Sequence, residues 1–483
     1  MNLTNMLDYN SLRKLKGKIK NIFFYRICGT GMGACACLLK ESGYNIEGGD
    51  NFFAPPMSDY LKKTGIACHK LSEISDKYLE KFDLIVVGNV VPKNSDDATR
   101  IENDNIPFAS FPSVLGAFVL NDINTVGIAG THGKTTTTYF MAQLFEKLGM
   151  NPGYFVGGVI EGRAPSSLGD GNYFFIESDE YDSAYFEKIS KFRMYSLNHL
   201  ILTSLEFDHA DIYNNVEDIK DQFRAIFPDI TKSYLINHDY VAAKELWDEF
   251  KKTGTEKKWF HYGEKTDIGP EIITADKTGT TFSLVLNGNK ETFFTSLIGL
   301  HNILNISTCI IFAHSEGFSV DKIGTAVKNM EMVKRRQEER GYFKGALFVD
   351  DFAHHPRAVA LTIDAVKIKY PGKDIHIVIE PHSSTARSNI FQKEFADSLR
   401  GDHCVIVVKP SKSTTVKDCS NLDCNKLVND LRGDVKIAII IDNQNELVEY
   451  FKLESKENSL FLILSNGTCA GFWQSDFVRK FLS

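Results

Sequence analysis

An apolar run, Val126-Gly-Ile-Ala129, passes without a break into Gly130-Thr-His-Gly-Lys-Thr-Thr-Thr-Thr138 and then into an amphipathic stretch from Tyr139 to Leu148. That order predicts a strand, a tight glycine turn and a helix whose first N–H groups face the turn. It constrains the fold more than any other feature, because a strand that feeds a helix through a phosphate-cradling turn belongs to an open α/β sheet. The turn's N–H groups and the Lys134 ammonium suit the β and γ phosphates of ATP, and the Thr135 hydroxyl suits Mg²⁺. The loop is a shortened form of G-x-x-x-x-G-K-[ST], since Ile128 stands where the first glycine belongs.

The same alternation of β-like and α-like segments runs along almost the whole chain, which predicts parallel sheets covered by helices. At 483 residues the chain exceeds what one hydrophobic core supports. Three α/β domains are expected, each on a mainly parallel sheet: 1–122, 123–333 and 334–483. Strands are predicted near 22–27, 84–87 and 107–110 in the first, with a helix after Met32. The second carries a hairpin near 280–285 and 291–295. A net charge of −7 without long single-sign runs excludes a nucleic-acid stripe. No apolar run reaches the ~20 residues of a membrane span, and the basic first 20 residues lack the core of a secretory signal. A cytoplasmic chain with reduced thiols follows, its nine cysteines forming no framework.

In the first block Gly29-Thr-Gly31-Met32-Gly33-Ala34 follows an apolar strand and opens a helix, and Asp50 ends the next strand. Glycines there let a backbone approach a pyrophosphate, and an acid about 20 residues on reaches a ribose hydroxyl. Both NAD and a uridine-diphosphate sugar fit this pattern, so an oxidoreductase stays open from these residues alone. The neighbouring ATP loop favours activation of a group on a nucleotide-linked substrate. After that loop, Phe174-Phe-Ile176 leads into Glu177-Ser-Asp179-Glu180-Tyr181-Asp182, and a second strand ends in Leu205-Glu206-Phe-Asp208-His209-Ala-Asp211. Carboxylates at strand ends with one imidazole suit Mg²⁺, although so many acids leave some to cap helices or face solvent.

These motifs, with Gly299-Leu-His301-Asn302-Ile-Leu-Asn305, Arg335-Arg336 and Asp350-Asp351-Phe-Ala-His354-His355-Pro356, resemble in this order the Mur ligase family. Members are ATP-dependent amide-bond-forming enzymes of bacterial cell-wall synthesis. The resemblance covers nearly the whole chain. It implies an N-terminal Rossmann-like domain for the UDP-sugar, a central P-loop ATPase-like domain and a C-terminal Rossmann-like domain for the acceptor. Pro55-Pro-Met-Ser58, Leu205 to Asp211, Asp351-Phe-Ala-His354 and Leu464-Ser-Asn-Gly467 resemble the recycling branch. That branch joins UDP-N-acetylmuramate to L-alanyl-γ-D-glutamyl-meso-diaminopimelate. The alternative branch adds L-alanine and places an arginine-rich run after Pro381-His382, where this chain has Ser383-Ser-Thr385-Ala-Arg387.

The resemblance implies residue roles. Gly130, Thr131, His132, Gly133, Lys134, Thr135 and Thr136 would bind ATP with His301, Asn302, Asn305, Arg336, Asp351 and His355. Lys134, His209 and Arg336 would be catalytic, and Thr135, Glu177 and His209 would hold Mg²⁺. Gly31, Met32, Gly33, Asp50 and Asn89 would hold the UDP-sugar, and Arg387 the short peptide acceptor. Adjacent His354 and His355 are expected to diverge, one functional and one packing. Some branches carry a carbamylated lysine about fifteen residues past the metal histidine; Arg224 stands there and Lys220 is shifted, so none is expected. A monomer or weak homo-oligomer is expected.

Overall fold

The computed structural model describes residues 1–253 and 256–482. Three mainly parallel sheets follow one another along the chain. The first runs in spatial order Ala67–Lys70, Asn45–Asp50, Asn21–Tyr25, Leu84–Val87, Phe108–Ser110, and every neighbouring pair is parallel. Strand order reverses at Asn21–Tyr25, so the glycine turn and the helix Thr30–Glu41 sit at the switch point where open sheets bind ligands.

The second sheet has seven strands, in order Lys258–Tyr262, Ser233–Asn237, His199–Leu202, Asn124–Ala129, Tyr173–Ser178, Gly153–Phe155, Ser166–Ser167. Only the last pair is antiparallel among its described neighbours. Asn124–Ala129 is central, and Ala129 pairs with Ser178 on one side and Leu202 on the other. The glycine loop, the acidic run and the segment after Leu202 therefore leave the sheet side by side. The following helix, Lys134–Lys147, is buried from Thr136 to Phe145, between this sheet and the helix Leu300–Ser315. Its buried stretch, Thr136 to Phe145, carries no charged side chain, as a helix covered on both sides requires.

An antiparallel ribbon, Glu271–Asp276, Gly279–Leu286 and Asn289–Thr295, contains the expected hairpin as its last two strands. Its first strand was not anticipated: Glu271-Ile-Ile-Thr-Ala-Asp276 is mostly exposed and shows no period-two burial. A second hairpin, Asp182–Ala184 with Glu187–Ser190, carries Tyr185 into the core of the first sheet. Glu187 there accepts hydrogen bonds from the Ser110 and Ser113 hydroxyls, the latter at 3.1 Å.

The third sheet runs Glu338–Phe343, Ala346–Asp351, Ser459–Ser465, Asp374–Glu380, Cys404–Val408, Ile437–Ile441; its first strand is an antiparallel edge and the rest are parallel. Register sets Asp351 beside Leu464 and Ser465 beside Glu380 at the C-terminal edge. Among the described residues no helix is long and apolar enough to cross a membrane.

Candidate active site

The glycine loop has its shape because two residues in it have positive φ. Gly130 (φ 129°) leaves no room for a side chain, since a Cβ would lie 2.6 Å from the Ser204 carbonyl oxygen, and at Gly133 (φ 84°) it would lie 2.7 Å from Asn305 Oδ1. Lys134, first in the helix, folds back to donate to the Gly130 carbonyl (2.5 Å) and pairs with Glu180 Oε2 (2.8 Å). The other Glu180 oxygen accepts the Gly130 N–H at 2.9 Å. Burial alone would lower the Lys134 pKa, but Glu180 and Asp179 more than offset it, so the ammonium holds its proton more firmly than a free lysine. The Thr135 hydroxyl donates to Glu177 Oε1 (2.9 Å), and Gly157 N–H holds the other oxygen (2.7 Å). Burial raises the Glu177 pKa. Thr131 exchanges hydrogen bonds with the Glu206 backbone, while His132 N–H donates to Ser204 Oγ at 2.6 Å.

His209, at φ 54°, offers its ring to Asp179 and Glu180, and one ligand atom from each of the three lies within 4.8 Å of the others. Glu177 groups instead with Thr135, so the expected metal set divides into two neighbouring parts. Asp179 is half-buried, and Lys191 (2.7 Å), Lys134 and His209 outweigh the cost of that burial and hold its carboxyl below the usual range. Asp182 and Asp211 are taken up by Lys188 and the Tyr181 hydroxyl. Lys220 is buried between Glu217 and Glu245, and Arg224 pairs with Glu217, Asp221 and Glu249. Sequence reasoning assigned no role to Lys191, and it chose no carboxylate for Lys134 among the acids between 177 and 182.

The opposite wall of the same cavity comes from the third sheet and its approach. Thr131 to Thr136, Glu177, His209, His301, Asn302, Asn305, Arg336, Asp351, His354 and His355 all line it. Arg336 lies 5.1 Å over the Phe352 ring, and Asp351 accepts N–H groups of Gln337 (2.9 Å) and Ala353 (2.8 Å). Burial, with Arg336 nearby, pushes His301 down to about 4; burial, with His132 nearby, pushes His355 down to about 3. His355 stands at the N-terminus of the helix Pro356–Lys369, and although both histidines line the cavity their rings take different neighbours, His354 the Phe352 ring and His355 those of His132 and Phe391. His354 Nδ1–H donates to the Phe352 carbonyl (2.9 Å).

Arg335 points elsewhere. It pairs with Asp350 (3.2 Å) and donates to the Ser465 and Gly467 carbonyls (2.5 and 2.9 Å). Arg387 lies outside the cavity, with one weak contact to Ser384 Oγ (3.3 Å) and its Nε buried without a partner among the described residues. Its neighbour Thr385 accepts the Ala210 N–H (3.1 Å), so the 381–387 run touches the loop after His209. The first-sheet residues form a separate group. Gly31 is half-buried and Asn89 exposed, but Met32, Gly33 and Asp50 are buried. A Cβ at Gly33 would overlap Met57, and Asp50 accepts the Cys28 and Asn51 N–H groups (2.9 and 2.8 Å), which braces the turn.

Three family profiles match the chain in succession: "Mur ligase family, catalytic domain" over 21–122, "Mur ligase middle domain" over 128–313, and "Mur ligase, glutamate ligase domain" over 335–467. The chain is 31% identical over 467 residues to the UDP-N-acetylmuramate–L-alanyl-γ-D-glutamyl-meso-2,6-diaminoheptandioate ligase of Haemophilus influenzae, covering 94% of this chain and 98% of that one. It is 28% identical to the UDP-N-acetylmuramate–L-alanine ligase of Streptococcus gordonii, covering 92% and 94%. Among solved structures, a murein peptide ligase from Psychrobacter arcticus superposes with a TM-score of 0.68 at 27% identity, covering 94% and 97%.

Proposed function

The chain belongs to the Mur ligase family, and from that premise we propose that it joins the lactyl carboxyl of UDP-N-acetylmuramate to the α-amine of L-alanyl-γ-D-glutamyl-meso-diaminopimelate, cleaving ATP to ADP and phosphate. The observation that carries the acceptor is the near-full-length similarity to a ligase named for that tripeptide, at 31% identity against 28% for the one named for L-alanine. The single cation of the Ser383 to Arg387 run agrees with a longer acceptor whose carboxylates lie farther out.

A carboxylate does not react with an amine at neutral pH because oxide is a poor leaving group. One lactyl oxygen therefore attacks the γ-phosphorus of ATP, the bond to the β-γ bridging oxygen breaks, and ADP leaves. The amine nitrogen then attacks the acyl carbon, loses a proton, and expels phosphate as the C–O bond breaks. Both steps gather negative charge on oxygen, where a fixed cation is most effective. Lys134, held in place and charged by Glu180, supplies one such cation, and Arg336 on the facing wall supplies another. His301, Asn302, Asn305, Asp351 and His355 enclose the nucleotide and exclude water.

The donors fit Mg²⁺, which prefers hard oxygen ligands and retains several waters. Thr135 with Glu177 would hold one ion, and His209 with Asp179 a second, in a half-buried patch where three carboxylates, Glu177, Asp179 and Glu180, lie together. When bound, Mg²⁺ supplies neutralisation of phosphate charge. Residues 1–122 would bind the uridine diphosphate through Gly31, Met32, Gly33, Asp50 and Asn89. Residues 123–333 would bind ATP, and 334–483 the acceptor through Arg387. All these groups lie on one chain, so a monomer or weak homo-oligomer suffices, and ATP and UDP-sugar supply put the reaction in the cytoplasm.

The test is incubation with ATP, Mg²⁺ and UDP-N-acetylmuramate, offering tripeptide or L-alanine separately, with phosphate release and product mass as readouts. Faster product with tripeptide is expected. Preference for L-alanine would reassign the acceptor, and silence with both would overturn the ligase reading.

A further inference from the structure

We infer that His132, Glu206 and His355 form a further metal site, suited to a transition-metal dication such as Zn²⁺ and separate from the Mg²⁺ ligands. One ligand atom from each lies within 4.8 Å of the other two. His132 Nε2 and Glu206 Oε2 stand 3.2 Å apart, close to the edge of about 3.3 Å that a tetrahedral ion with bonds of about 2.0–2.1 Å imposes. The His132 and His355 rings are 4.6 Å apart between centroids.

The hydrogen-bond inventory points the same way. Both ring nitrogens of His355 are buried without a hydrogen-bond partner among the described residues, and buried His132 Nε2 and Glu206 Oε2 face only each other, outside hydrogen-bond geometry. His355 is only 8% exposed. A buried polar atom left unpaired is costly, and here one nitrogen of each imidazole and one Glu206 oxygen come together. A cation there would satisfy those three atoms together. The second Glu206 oxygen lies 3.6 Å from Arg357 Nη1, leaving Oε2 free to ligate, and the edge of Phe391 packs on His355. Two imidazoles and one carboxylate select zinc, cobalt, nickel or copper, whereas Mg²⁺ prefers an oxygen shell.

The three ligands come from different elements. His132 lies in the glycine loop, Glu206 in the segment after His199–Leu202, and His355 at the start of Pro356–Lys369. A bound ion therefore pins the third sheet's helix to the loop that takes the nucleotide phosphates, and it opposes nucleotide entry and release.

The test uses the full chain, stripped with a chelator and titrated with Co²⁺ in excess Mg²⁺ without substrates. One equivalent should bind with visible ligand-field absorption and be displaced by Zn²⁺. His355→Ala and Glu206→Gln should each weaken binding by about tenfold or more, while Glu177→Gln leaves it unchanged. The two ligand substitutions lie on facing walls, so a folding defect in one leaves the other to decide. No stoichiometric Co²⁺ on the intact chain, or unchanged affinity in both variants, overturns the site. Binding is read without ATP, UDP-sugar or peptide, so its failure and that of the ligase reading are separately visible.

Discussion

Arg335 and Arg336 are adjacent, yet their guanidinium groups serve different partners, and replacing Arg335 should separate the two chemical steps. Positive φ at Arg335 (60°) and Gln337 (49°) twists the chain here. Arg336 lines the cavity that holds Lys134, whereas Arg335 holds the Ser465 and Gly467 carbonyls and Asp350. Those carbonyls open the Ser465 to Gly471 turn, which Glu380 fixes from the other side through the Cys469 and Ala470 N–H groups (2.9 Å each). Arg335→Ala removes a bond to Asp350 and two charge-assisted hydrogen bonds to the turn, the latter each worth about 1.5 kcal/mol at the low end for a charged donor. Asp350 keeps Arg340 at 3.3 Å, so the larger cost of an isolated buried charge does not apply. The sum, about 3 kcal/mol, corresponds to roughly a hundredfold in rate if the turn must be ordered for amine attack. The assay traps acyl phosphate with hydroxylamine in the absence of acceptor and compares it with full ligation. Trapping should stay near the wild-type rate while kcat/KM for the acceptor falls about a hundredfold, with partial recovery in Arg335→Lys. Arg336→Ala should instead abolish trapping. Equal loss of both steps in Arg335→Ala, or a raised KM for ATP alone, would refute the reasoning.

Three other outcomes are expected. Glu180→Gln removes the nearest anion from Lys134; with desolvation opposed only by Asp179 and Glu177, the ammonium loses its proton at lower pH than in the wild type, and the alkaline limb of the rate profile moves down. An unmoved limb would exclude Glu180 as the group that keeps Lys134 charged. Gly133→Ala forces a Cβ into a left-handed position costing about 1–2 kcal/mol and against Asn305, so ATP affinity measured by calorimetry should drop about tenfold or more. His199 is buried with Nδ1 on Ser233 Oγ (2.7 Å), and burial pushes its pKa down to about 3. The unfolded chain takes up a proton near pH 6.5 that the folded chain refuses, so this contribution is complete above that pH and is lost as pH falls toward 3. Between pH 6.5 and 5 it amounts to about 2 kcal/mol, which His199→Gln should remove from the pH dependence of the urea midpoint.

The local grammar of the chain was legible where one residue type has one physical use. Gly130, Gly133 and Lys134 could be placed because only a strand-turn-helix fits them, and the central sheet's strands near 174–176 and 199 followed from continuous apolar runs. The edge strand Glu338–Phe343 was hidden by its charged start and by Gly341 (φ 132°), where the pairing register shifts. Lys134's partner was hidden for a different reason. Several acids crowd 177–182, and spacing cannot say which of them reaches back across the loop to the Gly130 N–H. Contacts between distant segments, such as Thr385 with Ala210, leave no mark on either segment alone.

The divergent arginines belong between these cases. Asp350 and Asp351 are consecutive in the strand Ala346–Asp351, and strand geometry sends consecutive side chains to opposite faces. Asp350 thereby meets Arg335 and Arg340, while Asp351 turns to the side where Arg336 lies and receives Gln337 N–H. Given a strand that continues through both acids, the separation of the two arginine roles follows from its period of two. The apolar run itself stops at Val349, and a strand ended there would lose that inference. Asp350 thus fixes Arg335 by an ion pair while Asp351 offers its charge to the side where Arg336 lies, and a single backbone twist at 335–337 links the cavity wall to the Ser465 to Gly471 turn. Shifting the strand by one residue would exchange the two faces, which is why Asp350→Asn and Asp351→Asn should fail at different steps, the first at amine attack and the second at acyl phosphate formation.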